Sequence, residues 1–181
     1  MVDQVLIVGA GQAGMQVAVS LRELDYKGKI TIVGEEPYSP YQRPPLSKAF
    51  LAGDADVESL QFRSTDFYAS NDITVLTGEK IIDVAISDGK GVARASSGRT
   101  LHFDRLVVTP GSTPRRLTTP GSELDGVLYL RNIADAEALK SRWAEATNVV
   151  VVGGGFIGLE VAAQATKSGK QATVLDRKSV V

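Results

Sequence analysis

The chain has 181 residues, enough for one or two domains with a buried core. Hydrophobic residues make up 43% and charged residues 23%, and the net charge of −1 gives no basic surface for nucleic acid or a membrane. The absence of cysteine excludes disulfides and thiolate metal sites, so any redox chemistry must be carried by a bound cofactor.

No apolar run approaches the roughly 18 residues of a membrane-spanning helix. The sequence also enters a strand pattern almost at once, without the charged and apolar regions of a signal peptide. We therefore expect a soluble protein in the cytoplasm.

The first motif along the chain is a glycine-rich turn between a predicted strand and a predicted helix. The apolar residues 5–8 predict a buried parallel strand, and Gly9, Gly11 and Gly14 follow with the G-x-G-x-x-G spacing. In dinucleotide-binding proteins these glycines permit a tight turn, bring the backbone close to a pyrophosphate and pack the helix against the strand. On its own the spacing is weak evidence, because such a turn can be only a turn.

A helix pattern over 15–24 and a β-branched strand over 29–33 complete a βαβ unit. The strand is followed by Glu35 and Glu36, and Glu35 lies close to the offset of about 20 residues at which an acid binds ribose hydroxyls. Either glutamate suits that role. The alternative interpretation is two solvated loop charges.

Residues 37–48 form a stretch with four prolines, which excludes an ordinary helix or a central strand. Arg43 and Lys48 lie in this rigid loop and are suited to hold an anionic cofactor beside the phosphate-binding turn. The alternative is a surface loop with two solvated cations.

The segment Tyr41-Gln42-Arg43-Pro44-Pro45-Leu46-Ser47-Lys48, downstream of the glycine turn, resembles the flavin-binding signature of FAD- and NADH-dependent ferredoxin reductases of the putidaredoxin and rhodocoxin reductase type. The resemblance implies that Arg43 contacts the FAD diphosphate and that Lys48 lies beside the isoalloxazine ring. It also implies that the backbone near Ile81 meets the adenine.

A small antiparallel meander is predicted over residues 80–108. Turn signals at Asp88-Gly89 and Ser97-Gly98 separate its short strands, and the meander is expected to end with the strand pattern over 101–108. The single histidine, His102, lies in that strand without an acidic or nucleophilic neighbour in the sequence. We interpret it as structural.

Residues 107–115 are similar to the second flavin motif of the same family, an Ala-Thr-Gly turn followed by Pro-Arg. Gly111, Pro114 and Arg115 match it, and the resemblance makes Arg115 a second diphosphate contact. Pro110 replaces the usual threonine, which removes a hydroxyl and a backbone N–H from the turn.

A polar stretch over 116–126 predicts a crossing between two domains, which we place at residues 1–115 and 116–181. A helix is then predicted over 133–145, with Asn132 as its N-cap.

The glycine motif then recurs after the valine run 149–152, with Gly153, Gly155 and Gly158 at equivalent places. An apolar helix and a strand ending at Asp176 follow. Two such units in one chain imply two bound nucleotides. The predicted fold is therefore α/β, with two Rossmann-like units on parallel sheets and the small antiparallel meander.

By the resemblance, the first unit takes FAD and the second takes NAD(P)H. Asp176 favours NADH, because a carboxylate accepts a hydrogen bond from the ribose 2′-hydroxyl and repels a 2′-phosphate. The adjacent Arg177 weakens that preference.

Glu160 lies on the first turn of the second predicted helix. It is either a favourable charge near a helix N-terminus or, as in related flavin reductases, the partner of Lys48 beside the flavin. We hypothesise the Lys48–Glu160 pair, with both residues acting in catalysis.

These inferences predict a reductase in which NADH delivers hydride to FAD and electrons pass singly to a ferredoxin-type iron–sulfur protein. The lack of a cysteine pair argues against a disulfide reductase, whereas rubredoxin- and monodehydroascorbate-type reductases stay open. The resemblance covers about the first half of such an enzyme, so both units are expected to be incomplete, with sheet edges that favour self-association. The competing hypothesis is a truncated chain that binds a nucleotide without redox activity.

Overall fold

The computed structural model describes residues 3–177 and 179–180, the last two by their backbone only. The chain divides into two compact units, each made of two segments: Met1–Gln42 with Gln61–Ser112, and Arg43–Leu60 with Thr113–Val181. A division at residue 115 alone differs from these units in the segment Arg43–Leu60, which packs with the C-terminal residues.

The described helices and strands are short, and helices alternate with strands along much of the chain. The helices are α1 (Gln12–Glu23), α2 (Ala49–Ala52), α3 (Thr65–Ser70), α4 (Ile133–Trp143) and α5 (Phe156–Lys167). The strands are β1 (Gln4–Val8), β2 (Lys29–Val33), β3 (Ile73–Leu76), β4 (Ile81–Ser87), β5 (Lys90–Ala95), β6 (Thr100–Phe103), β7 (Arg105–Val108), β8 (Asn148–Val152), β9 (Gln171–Asp176) and β10 (Ser179–Val180).

The first unit is built on a four-stranded parallel sheet in the order β3-β2-β1-β7. After their first residues the central strands β1 and β2 are apolar except for the buried Thr31, as expected where both faces of a sheet are covered, and Ile7, Ile30 and Ile32 are fully buried. Helix α1 packs on one face through Met15 and Ala18. The predicted strand–helix–strand order is confirmed here, and it places the first glycine turn at the carboxyl end of β1.

An antiparallel sheet in the order β4-β5-β6 completes this unit and confirms the predicted meander. Ala93 and Phe103 point from it into a second apolar cluster together with Leu6 and Val33 of the parallel sheet. The meander therefore covers the sheet that carries the first glycine turn.

The prediction that the meander extends to residue 108 is wrong, because the chain changes sheets at Asp104 and residues 105–108 join the parallel sheet. The Asp104 N–H donates to the carbonyl oxygen of Gln4 at 2.9 Å, and the Gln4 N–H donates to the Asp104 carboxylate at 2.8 Å. These bonds end the antiparallel strand β6 and start β7 beside β1.

The second unit contains the parallel pair β8 and β9, with β10 antiparallel to β9. Helix α5 packs on this sheet through the buried Val161 and Ala165. Helix α4 begins with a capping box in which the Asn132 side chain accepts the Asp135 N–H and the Asp135 carboxylate accepts the Asn132 N–H, which confirms the predicted N-cap.

The proline-rich loop ends in a short 3₁₀ helix, Pro44–Ser47, followed by α2. Leu46 and Phe50 are buried, and both this turn and α2 contact α4 within the second unit. None of the described helices has both the length and the apolar character needed to cross a bilayer.

Candidate functional site

The first glycine turn closes so tightly that it excludes side chains at two positions. Gly9 has φ +115°, and a Cβ atom there would lie 1.9 Å from the carbonyl oxygen of Thr109. A Cβ atom at Gly14 would lie 2.0 Å from the carbonyl oxygen of Gly9, so α1 packs directly on the turn. Only glycine fits either place.

Gly11 differs because its Cβ position faces open space, with no atom within 4 Å. It is the N-cap of α1, and no side chain caps the helix. The backbone N–H groups of the first helical turn therefore point outward without a side-chain acceptor, in the arrangement that binds phosphate groups. This geometry fits the pyrophosphate of a dinucleotide.

Thr109 is a residue of the turn that the sequence analysis did not single out. Its N–H donates to the carbonyl oxygen of Val8 at 2.7 Å, and its hydroxyl lies 3.1 Å from the carbonyl oxygens of Val8 and Gly9. The turn therefore has a hydroxyl donor directly before Pro110. The hint in the sequence is a threonine directly before a Pro-Gly turn at the end of a strand.

The two glutamates after β2 have different surroundings. Glu36 is partly buried, and its carboxylate accepts a hydrogen bond of 2.6 Å from the Tyr41 hydroxyl. Glu35 is exposed and its carboxylate lies 3.0 Å from the Lys80 ammonium. Glu35 therefore has the more accessible carboxylate at the carboxyl end of β2.

The other candidate residues of the first unit lie on its two sheets. Ile81 begins β4 and packs against the second apolar cluster. Gly111 follows β7 with φ +73° and is exposed. His102 is exposed on β6, opposite Val92.

The second glycine turn repeats the geometry of the first within the second unit. Gly153 has φ +114° and donates its N–H to the carbonyl oxygen of Leu175 at 2.8 Å. A Cβ atom at Gly158 would lie 2.1 Å from the carbonyl oxygen of Gly153, whereas one at Gly155, the N-cap of α5, would meet no atom within 4 Å. No side chain caps α5, so this turn also fits a phosphate group.

Asp176 lies at the end of β9, beside this turn. A Cβ atom at Gly154 would lie 3.4 Å from the Asp176 Cγ atom, and the aspartate is exposed. The structure thus places an accessible carboxylate next to the second glycine turn, as the sequence analysis expected.

The cationic residues predicted to hold the flavin lie in the second unit. Arg43 is partly buried, and its guanidinium donates to the carbonyl oxygen of Arg131 at 2.8 Å. Arg115 is exposed. Lys48 follows the 3₁₀ helix, and its side chain is 49% exposed, so a ligand can reach its ammonium.

Lys48 and Glu160 form the ion pair that the sequence analysis hypothesised. The Lys48 Nζ atom lies 2.8 Å from Glu160 Oε1, and the Ser47 hydroxyl donates to Oε2 at 2.5 Å. The hydrogen bond from Lys48 and the one from Ser47 lower the pKa of the Glu160 carboxyl below its usual value. The pair is therefore an ammonium facing solvent on one side and held by an ionised carboxylate on the other.

Phe156 is a second residue that the sequence analysis passed over. It is the first residue of α5, directly after the glycine turn, and it is 89% exposed. Glu160 lies four residues later and therefore on the same face of the helix. A large aromatic residue at the first helical position is the feature of the sequence that marks it.

The chain belongs to the pyridine nucleotide-disulphide oxidoreductase family, whose model matches residues 3–181. The proteins of this family and its ferredoxin reductases use FAD and NAD(P)H. The uncapped glycine turns described above fit that use, because each can accept a pyrophosphate.

Individual relatives are ferredoxin-type reductases. The chain is 44% identical over 172 residues to rhodocoxin reductase of Rhodococcus erythropolis and 41% identical over 172 residues to rubredoxin-NAD(+) reductase of Pseudomonas putida, covering 95% of this chain in both cases. It also matches the crystal structure of the covalent putidaredoxin reductase–putidaredoxin complex with a TM-score of 0.85 and 42% identity, over 96% of this chain. The chain spans only 40%, 44% and 42% of these three proteins respectively.

Proposed function

We propose that this chain forms the cofactor-binding part of a flavin-dependent reductase that takes electrons from NADH and passes them to a small iron–sulfur protein. The observation that carries the proposal is the pair of glycine turns, each with positive φ at its first glycine and an uncapped helix after it. When bound, a flavin accepts a hydride from a nicotinamide and releases electrons one at a time.

The first unit is proposed to hold FAD. The backbone at Gly9, Gly11 and Gly14 faces the diphosphate, while Glu35 accepts hydrogen bonds from the ribose hydroxyls. Glu35 is preferred to Glu36 because the carboxylate of Glu36 is already bonded to the Tyr41 hydroxyl. The backbone at Ile81 and the turn at Gly111 complete the adenine side and the flavin side of this site.

Arg43, Lys48 and Arg115 are proposed as the cationic contacts of the flavin. Two guanidinium groups suit a diphosphate, since each can donate two parallel hydrogen bonds. The Lys48 ammonium is proposed to lie beside the isoalloxazine ring, where its positive charge stabilises the negative charge that the ring gains on reduction. Glu160 holds that ammonium at 2.8 Å.

The second unit is proposed to hold NADH at Gly153, Gly155 and Gly158. Asp176 selects the nucleotide without a 2′-phosphate, because its exposed carboxylate can accept from the ribose 2′-hydroxyl and repels the phosphate. The exposed ring of Phe156, on the same helical face as Glu160, offers an apolar surface to a planar ring at this end of α5.

The proposed electron acceptor is a ferredoxin-type protein. The relatives are named for rubredoxin and rhodocoxin, and one solved relative is bound to putidaredoxin. Reduction of a small one-electron carrier requires a cofactor that divides a hydride into single electrons, and a flavin does so.

The decisive experiment is a spectroscopic titration of the purified chain with FAD, followed by NADH under anaerobic conditions. The proposal predicts a bound, yellow chromophore that bleaches when NADH is added. Bleaching of flavin without binding to the protein, or binding of adenine nucleotides without bleaching, contradicts the redox role and supports the binding-only hypothesis.

A matched pair of variants tests the FAD site itself. Glu35→Ala is expected to weaken FAD binding about tenfold, because a charge-assisted hydrogen bond is lost. Glu23→Ala is the control, since Glu23 is an exposed glutamate of the same unit, at the last residue of helix α1. Equal affinities of the two variants contradict the placement of the ribose.

A further inference from the structure

The Glu160 carboxylate receives a donor on each of its oxygens. Lys48 Nζ binds Oε1 at 2.8 Å, and the Ser47 hydroxyl binds Oε2 at 2.5 Å. The two donors come from consecutive residues but differ in exposure. The Lys48 side chain is 49% exposed, whereas Ser47 is only 3% exposed.

The backbone that carries Ser47 is rigid. Pro44 and Pro45 begin the 3₁₀ helix and fix its first φ angles, and the Lys48 N–H donates to the carbonyl oxygen of Pro45 at 2.9 Å. Leu46, within the same turn, is buried. The position of the Ser47 hydroxyl is therefore well defined, because the backbone is constrained and the side chain has a single χ angle.

Lys48 cannot fix the carboxylate by itself. Its ammonium stands on a flexible four-carbon stem, and ion pairs with this exposure hold their geometry weakly because water competes for both partners. The bond from the Ser47 hydroxyl is shielded on the donor side, since Ser47 is buried, although the Glu160 side chain is 30% exposed. Both donors also lie near the Pro44 carbonyl oxygen, the Ser47 hydroxyl at 3.4 Å and the Lys48 ammonium at 3.3 Å, but their contacts with Glu160 are shorter. The geometry therefore allows Ser47 to orient Glu160 and Glu160 to orient Lys48.

We propose that Ser47 is a positioning residue, whose hydroxyl fixes the Glu160 carboxylate so that this carboxylate holds the Lys48 ammonium in the place where it acts on the flavin. The proposal deepens the proposed function, since the purpose of that placement is the flavin site. Ser47 itself touches neither cofactor nor substrate in this scheme.

The charge state of Glu160 supports the same arrangement. The hydrogen bond from Lys48 and then that from Ser47 hold the pKa of Glu160 below its usual value. Removal of the hydroxyl takes away the second of these stabilising contacts with the anion. The pKa of Glu160 should then rise toward the ordinary value for a glutamate.

The test uses the flavin-free chain, so that it does not depend on cofactor loading. The chain is labelled with ¹³C at the glutamate carboxyl groups, and Glu160 is assigned with the Glu160→Gln variant. Ser47→Ala is expected to raise the apparent pKa of Glu160, because the anion loses a hydrogen-bond donor. Ser47→Thr, which keeps the hydroxyl, should restore the lower pKa. Ser64→Ala is the control, because the Ser64 hydroxyl caps α3 instead.

The second measurement follows Lys48 by its rate of labelling with acetic anhydride, read by mass spectrometry. Glu160→Gln removes the anionic partner of Lys48 and gives the labelling rate of Lys48 without its ion pair. Ser47→Ala should raise the labelling rate of Lys48 by at least half as much as Glu160→Gln does. An unchanged Glu160 pKa or an unchanged Lys48 rate in Ser47→Ala overturns the proposal. Failure of the wild-type chain to bind FAD instead overturns the proposed function, and it leaves both of these measurements valid.

Discussion

The hydroxyl of Thr109 lies 3.1 Å from the carbonyl oxygen of Gly9, which ties the end of β7 to the first glycine of the phosphate-binding turn. Thr109→Val keeps the shape of the side chain but leaves two carbonyl oxygens without this donor. We expect the free energy of unfolding to fall by about 1 kcal/mol. Chemical denaturation measures this, and Thr109→Ser, which keeps the hydroxyl, should lose less than the valine variant.

Two substitutions in the second glycine turn should distinguish an effect on stability from an effect on nucleotide binding. Gly158→Ala places a Cβ atom 2.1 Å from the carbonyl oxygen of Gly153, so α5 must move and we expect a loss of stability of about 2 kcal/mol or more. Gly155→Ala finds open space, and we expect it to fold while its methyl group obstructs the pyrophosphate. Thermal unfolding and NADH binding should therefore rank the two variants differently. A common loss in both measurements would contradict the assignment.

Asp176 is expected to control the choice between NADH and NADPH. Asp176→Ala should weaken NADH binding and remove the repulsion of a 2′-phosphate, so that the ratio of NADH to NADPH affinity falls about tenfold. Fluorescence of the reduced nucleotides measures both affinities. The exposed Asp54 of the same unit provides the control, and its replacement by alanine should leave the ratio unchanged.

Arg22, in the last turn of α1, connects this helix to two neighbouring loops through side-chain hydrogen bonds. Its guanidinium donates to four backbone carbonyl oxygens, those of Tyr26 at 2.6 Å, Gly28 at 2.9 Å, Asn71 at 2.7 Å and Asp72 at 2.8 Å. Arg22→Lys cannot reproduce this planar fork, and we expect it to lower the free energy of unfolding by about 2 kcal/mol. Urea denaturation measures the change.

The control for the Arg22 variant is Lys27→Ala, in which a side chain that is 80% exposed is removed from an ion pair with Asp25. It should leave stability almost unchanged, because exposed pairs contribute little. A loss equal to that of Arg22→Lys would contradict the special contribution of the guanidinium hydrogen bonds.

The buried hydroxyl of Tyr68 leads us to expect a loss of stability at alkaline pH. Its hydroxyl is buried and has no hydrogen-bond partner among the described residues, and burial raises the pKa of Tyr68 to about 12. Between pH 10 and 12 the unfolded chain releases this proton while the folded chain retains it, so the free energy of unfolding falls as the pH rises. Below pH 10 the hydroxyl stays protonated in both states, so this group gives no change of stability with pH there.

The matched variant is Tyr68→Phe, which removes the unpaired hydroxyl and keeps the ring. We expect it to be as stable as the wild type or more stable at pH 7, since a buried polar atom without a partner is costly. We also expect its denaturation curves to change less between pH 10 and 12. An alkaline loss equal to that of the wild type would contradict the raised pKa of Tyr68 in the folded chain.

Much of the architecture follows from local patterns in the sequence. The apolar strand, glycine turn and helix are adjacent in the chain, so both βαβ units could be recognised, as could the capping of α4 by Asn132. The break at Asp104 could not, because it is made by hydrogen bonds with Gln4, 100 residues away. Apolar residues continue on both sides of Asp104, and nothing local marks the change of sheet.

The same reason explains which site residues were found. Lys48 and Glu160 were paired by their resemblance to a known motif, whereas the contact of Ser47 with Glu160 joins residues 113 positions apart and has no periodic pattern. The choice between Glu35 and Glu36 also depended on a side-chain contact, the bond from the Tyr41 hydroxyl to Glu36. Residue types indicate the chemistry, but the partners of each group come from the tertiary structure.

The segment Arg43–Leu60 packs with residues that follow Ser112 in the chain. A ribosome releases the chain from its N-terminus, so this segment emerges well before α4 and α5 have been synthesised. Lys48 and Ser47 are therefore synthesised before their partner Glu160. Until then, the α2 side chains that are buried in the folded chain are exposed to solvent. A stall in translation before residue 160 would leave this loop open to proteases and chaperones, even where the first βαβ unit had already folded.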